Sequence, residues 1–196
     1  MKIEIINKCE NKLPIIITKR LLLRDIEVKD ISDEYVNWLN NPEITKFLEI
    51  RFKKQKRNDV EDYLNNALNN IKTTNHFGIY DNNGTRLIGT VTLPTICWNH
   101  LYSDISFVIG HPNVPKGQGY ATEAVKSVVY YAFTQLKLKK LWAGYYADHI
   151  ASKKVLKKVG FKEEGRMRCH LIDYDGHRVD KILVGLLSCE FFTLQS

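Results

Sequence analysis

The sequence of 196 residues lacks any run of about 18 apolar residues, the length that a membrane-spanning helix requires. Its start, MKIEIINKCENK, lacks the apolar stretch of a secretory signal peptide. The cysteines form no C-x-x-C pair and have no matching histidine spacing; they are Cys9, Cys97, Cys169 and Cys189. We therefore expect a cytoplasmic protein with free and mostly buried thiols, without membrane association, a disulfide framework or a metal site.

Repeats, low-complexity tracts and linkers rich in proline, glycine or serine are also missing. With 44% hydrophobic and 26% charged residues, the chain can bury a sizeable core, so we expect one compact domain. The net charge of +7 invites a polyanion, but the lysines are distributed along the whole chain. This even distribution argues against nucleic acid as the partner.

Apolar patterns predict an alternation of strands and helices. A strand or strand pair opens the chain, two amphipathic helices follow, then a hairpin with a DNNG turn and a further strand. After a glycine-containing loop come a helix, a strand, a helix and a closing strand pair. In chain order these elements cover residues 15–24, 30–41, 56–72, 76–96, 101–110, 122–136, 139–147, 151–160, 161–174 and 177–187. The order predicts a mixed α/β or α+β sheet with helices packed against it.

The loop NVPKGQGYAT, residues 113–122, places two glycines directly before a long helical pattern. The first N–H groups of a helix have no intrahelical partners, and the helix dipole adds partial positive charge there. A phosphate or pyrophosphate could therefore be held by main chain alone. An isolated G-x-G also occurs as a simple tight turn, and neither a Walker A loop nor a dinucleotide-binding fingerprint is present.

The segment KGQGYA, residues 116–121, resembles the acetyl-CoA loop [RQ]-x-x-G-x-[GA] of the GCN5-related N-acetyltransferase (GNAT) family, with lysine in the first place. Lysine keeps the positive charge but lacks the planar fork of arginine. The resemblance covers nearly the whole chain. ITKRLLLRDIEVKD, GYATEAV and ASKKVLKKVGFKEEG are similar to the opening strand, the loop-to-helix junction and the late helix of the ribosomal-protein acetyltransferase (RimJ/RimL-like) subgroup.

This resemblance implies one acetyltransferase domain over residues 1–196, with its core at about 15–188. The implied fold is a mixed, mostly antiparallel sheet of about six to seven strands with a splayed central pair and helices on both faces. The implied co-substrate is acetyl-CoA, with its pyrophosphate in the loop and its pantetheine along the strand that ends at Gly110. The implied cofactor-binding residues are Phe107, Val108, Ile109, Lys116, Gly117, Gln118, Gly119, Tyr120, Ala121, Thr122, His149, Ser152 and Lys153.

Acetyl transfer needs a neutral amine, a polarised thioester carbonyl and a stabilised thiolate. Asp104 lies where the resemblance often places an acidic residue, so it is our candidate general base. It could equally be a solvated carboxylate or the partner of a basic side chain. A backbone N–H near Val108, left unpaired by the splay, is a candidate oxyanion donor.

The late helix of the family usually begins with N-x-x-S, and here it reads HIAS. Ser152 keeps the serine and is the candidate donor to the leaving thiolate, although a serine at a helix start could also be an N-cap. His149 replaces the asparagine and could bind pantetheine, or simply exchange one polar contact for another. Tyr145 and Tyr146 are rival acids, although tyrosines in apolar strands are more often core residues.

The acceptor is expected beside residues 35–52, where Trp38, Phe47, Glu49 and Arg51 could line a compact pocket or could be ordinary packing and surface residues. We expect a small-molecule amine, such as a nucleotide-linked amino sugar. The alternatives are the N-terminus of a ribosomal or other protein, and a coenzyme A binding module without catalysis. The turn DYDGHRVD, residues 173–180, could contact the acceptor or a partner subunit of a homodimer.

Overall fold

The computed structural model describes residues 2–7 and 12–193, so that Cys9 lies outside the described part. Cys97, Cys169 and Cys189 are free thiols, as expected, but Cys97 is half-buried and the other two are exposed, so the expectation that the thiols are mostly buried is wrong for these three. The strands are β1 Glu4–Ile6, β2 Ile15–Ile17, β3 Leu21–Asp25, β4 Asn75–Asp81, β5 Leu87–Leu93, β6 Ile96–Cys97, β7 Tyr102–Asp104, β8 Ser106–Ile109, β9 Lys140–Tyr146, β10 Lys162–Ile172 and β11 Arg178–Leu187. The helices are α1 Asp33–Trp38, α2 Pro42–Thr45, α3 Arg57–Asn69, α4 Tyr120–Thr134, α5 Ile150–Val159 and α6 Ser188–Thr193.

Among these described helices, none combines the length and the apolarity that crossing a membrane requires. Two short 3-10 turns, at Val28–Asp30 and Glu49–Phe52, flank α1 and α2 in the chain.

The strands form two sheets. One has six strands in the order β1-β2-β3-β4-β5-β8, and the other has five in the order β10-β11-β9-β7-β6. The pair β7 with β9 is parallel, and the remaining pairs of described strands are antiparallel. The predicted fold class, a mixed and mostly antiparallel sheet with helices, is confirmed. The strand at 15–24 divides into β2 and β3 because the chain turns back at Thr18, whose N–H donates to the carbonyl of Leu21 at 2.9 Å.

The central strand at 101–110 divides between the two sheets. Its first part, β7, pairs with β9, and the N–H of Ile105 donates to the carbonyl of Trp142 at 2.9 Å. Its second part, β8, pairs instead with β5. Beyond Ile105 the two neighbouring strands β8 and β9 therefore separate, which is the splayed central pair predicted from the resemblance.

Helices cover both faces of the six-stranded sheet. Successive side chains of a strand point to opposite faces, and β4 shows this directly. The ring of Phe77 contacts Tyr131 of α4, whereas the ring of its neighbour His76 contacts Tyr63 of α3. The main core lies on the α4 side, and a smaller apolar cluster lies beneath α1 and α3.

Candidate active site

The glycine loop before α4 has the backbone geometry of an anion cradle. Gly117 and Gly119 have φ angles of 80° and 81°, in the left-handed region that glycine adopts without steric cost. Gly119 is the N-cap of α4 and contributes no capping side chain. Within the described chain, the backbone N–H groups from Gly117 to Thr122 have no hydrogen-bond partner. Such a row of free donors at a helix start fits a diphosphate.

The flanking positions keep this cradle open. A Cβ built on Gly117 would meet no atom within 4 Å, so the space beside it is empty. Lys116 and Gln118 are exposed, and Tyr120, Ala121 and Thr122 are half-buried. Lys116 therefore lies at the surface beside the free N–H groups, where its charge is available to an anion.

One contact of this loop was not anticipated from the sequence. Arg20, at the turn between β2 and β3, donates to the carbonyl of Gln118 and pairs with Glu123 in the first turn of α4. Arg20 lies in the segment ITKRLLLR, but about 100 residues separate it from its partners in the chain. Local patterns carry no information on such a pairing.

The gap between β8 and β9 runs from the loop towards the centre of the protein. Phe107, Val108 and Ile109 are half-buried and pair with β5 on one side only. The side of β8 that faces β9 has no partner strand among the described residues. An extended chain of amides could therefore bind along this edge.

Asp104 lies at the closed end of the gap. It stands opposite Trp142 in the last paired position before the strands separate, on the face opposite to the buried Ser103 and Ile105. Burial raises the pKa of the Asp104 carboxyl, while backbone hydrogen bonds and the charge of Lys181 oppose the rise. The structure thus brings this carboxylate to the gap and also gives it a basic neighbour.

Ser152 and His149 lie together at the start of α5. Ser152 is buried in the first turn, and the N-cap of the helix is His149, which makes no side-chain capping bond. The reading of Ser152 as the N-cap is therefore wrong, because the helix begins at Ile150. His149 stacks on Phe47, with ring centroids 4.1 Å apart, and burial lowers its pKa. Lys153 is exposed on the same helix.

The two tyrosines of β9 point to opposite faces. Tyr145 faces the main core with Ile182, whereas Tyr146 contacts the segment that precedes α3. The structure thus places the candidate acid Tyr145 away from Tyr146 and among core residues, because period-2 alternation directs neighbouring side chains to different faces. Tyr146, the rival candidate, is the tyrosine that contacts Phe47 and Glu49.

Phe47, Glu49, Arg51 and Tyr146 form one cluster, here termed the acceptor wall. The hydroxyl of Tyr146 donates to Glu49 Oε1 at 2.9 Å, and Phe47 packs against the Tyr146 ring. Arg51 Nη1 donates to the carbonyl of Asp173 at 3.0 Å, and Arg51 Nη2 donates to the carbonyl of Ile172. The wall therefore joins the segment after α2 to the end of β9 and to the β10–β11 turn.

Trp38 does not belong to this wall. It is 4% exposed, lies in the smaller apolar cluster with Tyr35, and packs over Gly110, where a Cβ would meet its ring at 2.4 Å. The expectation that Trp38 lines the compact pocket is therefore corrected, and its alternative, ordinary packing, describes this side chain. The amphipathic pattern of α1 directs this side chain inward.

In the β10–β11 turn, the side chains of Asp173, Asp175 and His177 each offer an oxygen or nitrogen atom of the kind that binds metal ions. These atoms lie within 4.8 Å of one another. Asp173 accepts hydrogen bonds from the backbone N–H groups of Asp175 and His177, at 3.0 and 2.7 Å. These hydrogen bonds stabilise the turn, and the turn itself explains why the three side chains lie close together.

Comparisons with known proteins agree with this geometry. The family model "Acetyltransferase (GNAT) domain" matches residues 20–162. The chain is 29% identical over 180 residues to the uncharacterized N-acetyltransferase p20 of Bacillus licheniformis, covering 89% of this chain and 96% of that protein.

Two solved structures show the same fold. Spermidine N-acetyltransferase from Vibrio cholerae, in complex with CoA and spermine, superposes with a TM-score of 0.77 at 22% identity, over 89% of this chain and 99% of that one. RimL, a ribosomal L7/L12 alpha-N-protein acetyltransferase in complex with coenzyme A, gives a TM-score of 0.76 at 14% identity, over 94% and 98%.

Proposed function

Because this chain belongs to the GNAT acetyltransferase family, it is an acetyl-CoA-dependent N-acetyltransferase, and we propose that its acceptor is the primary amine of a small molecule. We also propose that the chain belongs to the RimJ/RimL-like subgroup, which its loop and late helix resemble, and that it acts in the cytoplasm. The observation that carries the proposed acceptor is the acceptor wall beside the gap, in which the Glu49 carboxylate stands next to the Tyr146 hydroxyl.

In the proposed complex, the free N–H groups from Gly117 to Thr122 hold the diphosphate of coenzyme A, and Lys116 adds charge at the surface. The unpaired edge of Phe107 to Ile109 binds the pantetheine amides. His149, Ser152 and Lys153 border the cofactor from the start of α5. When bound, acetyl-CoA supplies an activated thioester.

The chain's own groups then serve the transfer. Asp104 takes the proton of the attacking amine, directly or through a water, and burial favours this role because it raises the pKa of the carboxyl. The backbone N–H near Val108 donates to the oxygen that gains charge. The Ser152 hydroxyl donates to the sulfur that departs.

The acceptor wall supports a small amine more than a peptide. A peptide requires an open groove, whereas Phe47, Glu49, Arg51 and Tyr146 contact one another and join three separate segments. Arg51 Nη1 and Nη2 are directed to two carbonyls and the Tyr146 hydroxyl, and Nε is buried, so this residue offers little to a phosphorylated acceptor. Glu49 is exposed and can pair with an ammonium group. A cationic amine, such as a polyamine or an amino sugar, therefore fits better than an anionic acceptor.

A thiol-release assay with acetyl-CoA tests the proposal. Polyamines, free and nucleotide-linked amino sugars, and N-terminal peptides are offered in parallel, and we expect faster turnover with a polyamine or a free amino sugar than with the nucleotide-linked sugar. Turnover confined to peptides would favour protein N-terminal acetylation. Coenzyme A binding without turnover on any amine would favour a non-catalytic module. Either of these two results, turnover confined to peptides or binding without turnover, contradicts the proposal.

A further inference from the structure

Arg20 and Glu123 form a bridge beneath the glycine loop. Glu123 is 8% exposed and accepts from Thr18 Oγ1 at 2.8 Å and from the backbone N–H of Arg20 at 3.0 Å. Its second oxygen accepts from Arg20 Nε at 2.7 Å. Both carboxylate oxygens are thus occupied, and the turn between β2 and β3 is tied to the first turn of α4.

The same guanidinium also contacts the loop itself. Arg20 Nη1 donates to the carbonyl of Gln118 at 2.9 Å, and its plane lies over the Tyr120 ring, 4.2 Å from the centroid. In a trans peptide, the carbonyl of one residue and the N–H of the next point in opposite directions. A Gln118 carbonyl held towards Arg20 therefore turns the Gly119 N–H away from Arg20, to the side that the guanidinium does not occupy.

The bridge also has an electrostatic consequence. Glu123 lies in the first turn of α4, directly below the N–H groups that would hold the diphosphate. Its hydrogen bonds from Thr18 and Arg20 outweigh burial and hold the pKa of the carboxyl below its usual value, so it is ionised. An unpaired carboxylate at this place would repel an anion, and Arg20 supplies the compensating charge at 2.7 Å.

We infer that Arg20 is a positioning residue for coenzyme A: it fixes the orientation of the Gln118–Gly119 peptide and neutralises Glu123 beneath the diphosphate. The inference rests on the proposed function. It assigns Arg20 no direct contact with the ligand, since its recorded donors are directed to Glu123 and Gln118.

The chain contains a matched control for the test. Arg24 pairs with Asp30 at 2.8 Å, and its guanidinium lies 4.0 Å from the Tyr80 ring centroid. This pair has the same chemistry as that of Arg20, but within the described residues the Arg24 side chain donates to Asp25 and Asp30 and not to the glycine loop. R24A therefore reports the effect of losing a comparable arginine bridge elsewhere in the protein.

Calorimetry measures the Kd of coenzyme A for the wild-type chain and for R20A, R20K, R20A/E123Q and R24A, after thermal unfolding has shown that each is folded. We expect R20A to weaken binding at least about tenfold, the change typical of a lost charge-assisted contact. The Kd of R20K should lie between those of the wild type and R20A, because lysine keeps the charge but cannot bridge both Glu123 and Gln118. R20A/E123Q binds better than R20A, and R24A stays within about twofold of wild type.

A spectroscopic readout without ligand completes the test. The backbone carbonyl ¹³C resonance of Gln118 in the labelled apo protein should move upfield in R20A and stay unchanged in R24A. A folded R20A that binds like wild type, a double variant no better than R20A, or an unmoved Gln118 resonance overturns the inference alone. A wild-type chain that does not bind coenzyme A overturns the proposed function and the inference with it.

Discussion

Gly119 has a left-handed backbone and no side chain beside the row of free N–H groups, and a substitution changes both properties at once. In Gly119→Asp, the added Cβ would lie 3.7 Å from Arg20 Nη2, so the carboxylate would compete with Glu123 for Arg20 and add a like charge beside the diphosphate. We expect the affinity for coenzyme A to fall at least about tenfold, measured by calorimetry.

Gly84 provides the control for backbone strain. It lies in the β4–β5 turn with a φ of 70°, and an added Cβ would make only an ordinary contact with Leu22 at 3.5 Å. Gly84→Asp should lose comparable stability while keeping wild-type affinity for coenzyme A. If a folded Gly119→Asp protein binds coenzyme A as the wild type does, the diphosphate lies elsewhere.

Asp104 carries the second prediction at the scale of a residue. Asp104→Asn keeps the shape of the side chain but cannot accept a proton, so turnover should fall about a hundredfold or more with the Kd of coenzyme A unchanged. Steady-state kinetics and calorimetry on the same preparations separate the two quantities. Asp33→Asn, on the exposed face of α1, is the matched control.

The pH profile of turnover tests the same role. Burial raises the pKa of Asp104, and a base works only when ionised, so the rate should fall as pH decreases through this raised value. The residual rate of Asp104→Asn should lack this acidic limb. An asparagine variant with near-normal turnover across pH would instead show that the amine arrives neutral or that another group takes the proton.

At the scale of elements, local signals predicted the loop, α4 and the succession of strands and helices along the chain, because glycine conformation and apolar periodicity are properties of neighbouring residues. The acceptor wall was only half predictable. Phe47, Glu49 and Arg51 were named from their segment, but their contacts with Tyr146 and the β10–β11 turn depend on packing between distant parts of the chain.

The same limit explains Trp38 and the tyrosine pair. Periodicity shows that Tyr145 and Tyr146 face opposite sides, but it does not show which side is the core. That choice follows from the pairing of β9 with β11, where Tyr145 stands opposite the buried Ile182. A helical pattern likewise predicts that Trp38 faces inward, without showing that Gly110 would lie beneath it.

The tyrosine pair gives the third prediction. Tyr146→Phe removes the hydrogen bond to Glu49 and frees that carboxylate from its position in the wall. We expect the KM for the amine to rise about fivefold, the change typical of one hydrogen bond, with the Kd of coenzyme A unchanged. Initial rates over a range of amine concentrations provide the measurement.

Tyr145→Phe is the natural comparison, since the same atom is removed one residue away on the opposite face. Its expected effect is on stability, with the KM for the amine unchanged, because Tyr145 packs in the main core. A loss of kcat in Tyr145→Phe without a loss of folding would instead support Tyr145 as the acid. Equal changes of KM in both variants would contradict the assignment of the wall.

At the scale of the whole molecule, helices bury an apolar cluster on each face of the six-stranded sheet, and the α3 side also buries a histidine. This residue is His76, which is 8% exposed. Its Nδ1 lies 2.6 Å from Thr92 Oγ1, and its Nε2 has no partner among the described residues. Burial lowers the pKa of His76 to about 4, so the ring is neutral in the folded protein near pH 7.

This burial makes the stability of the fold depend on pH. Below the ordinary histidine pKa of 6.5 the unfolded chain takes up a proton, whereas folded His76 stays neutral until about pH 4. Stability is therefore lost as pH falls through this window. The free energy of unfolding should decrease by about 2 kcal/mol from pH 7 to pH 5, measured by urea denaturation.

His76→Gln removes the titratable ring, so it should lose much less stability than the wild type between pH 7 and pH 5. At pH 7 we expect it to be less stable than the wild type. His100→Gln, at an exposed position, should keep the wild-type dependence on pH. The lowered pKa of His149 acts in the same direction and leaves a smaller slope in His76→Gln. The raised pKa of the Asp104 carboxyl acts in the opposite direction, whereas carboxyl groups with ordinary or lowered pKa values add little above pH 5. If His76→Gln loses as much stability on acidification as the wild type, then this ring is not the group that couples folding to pH.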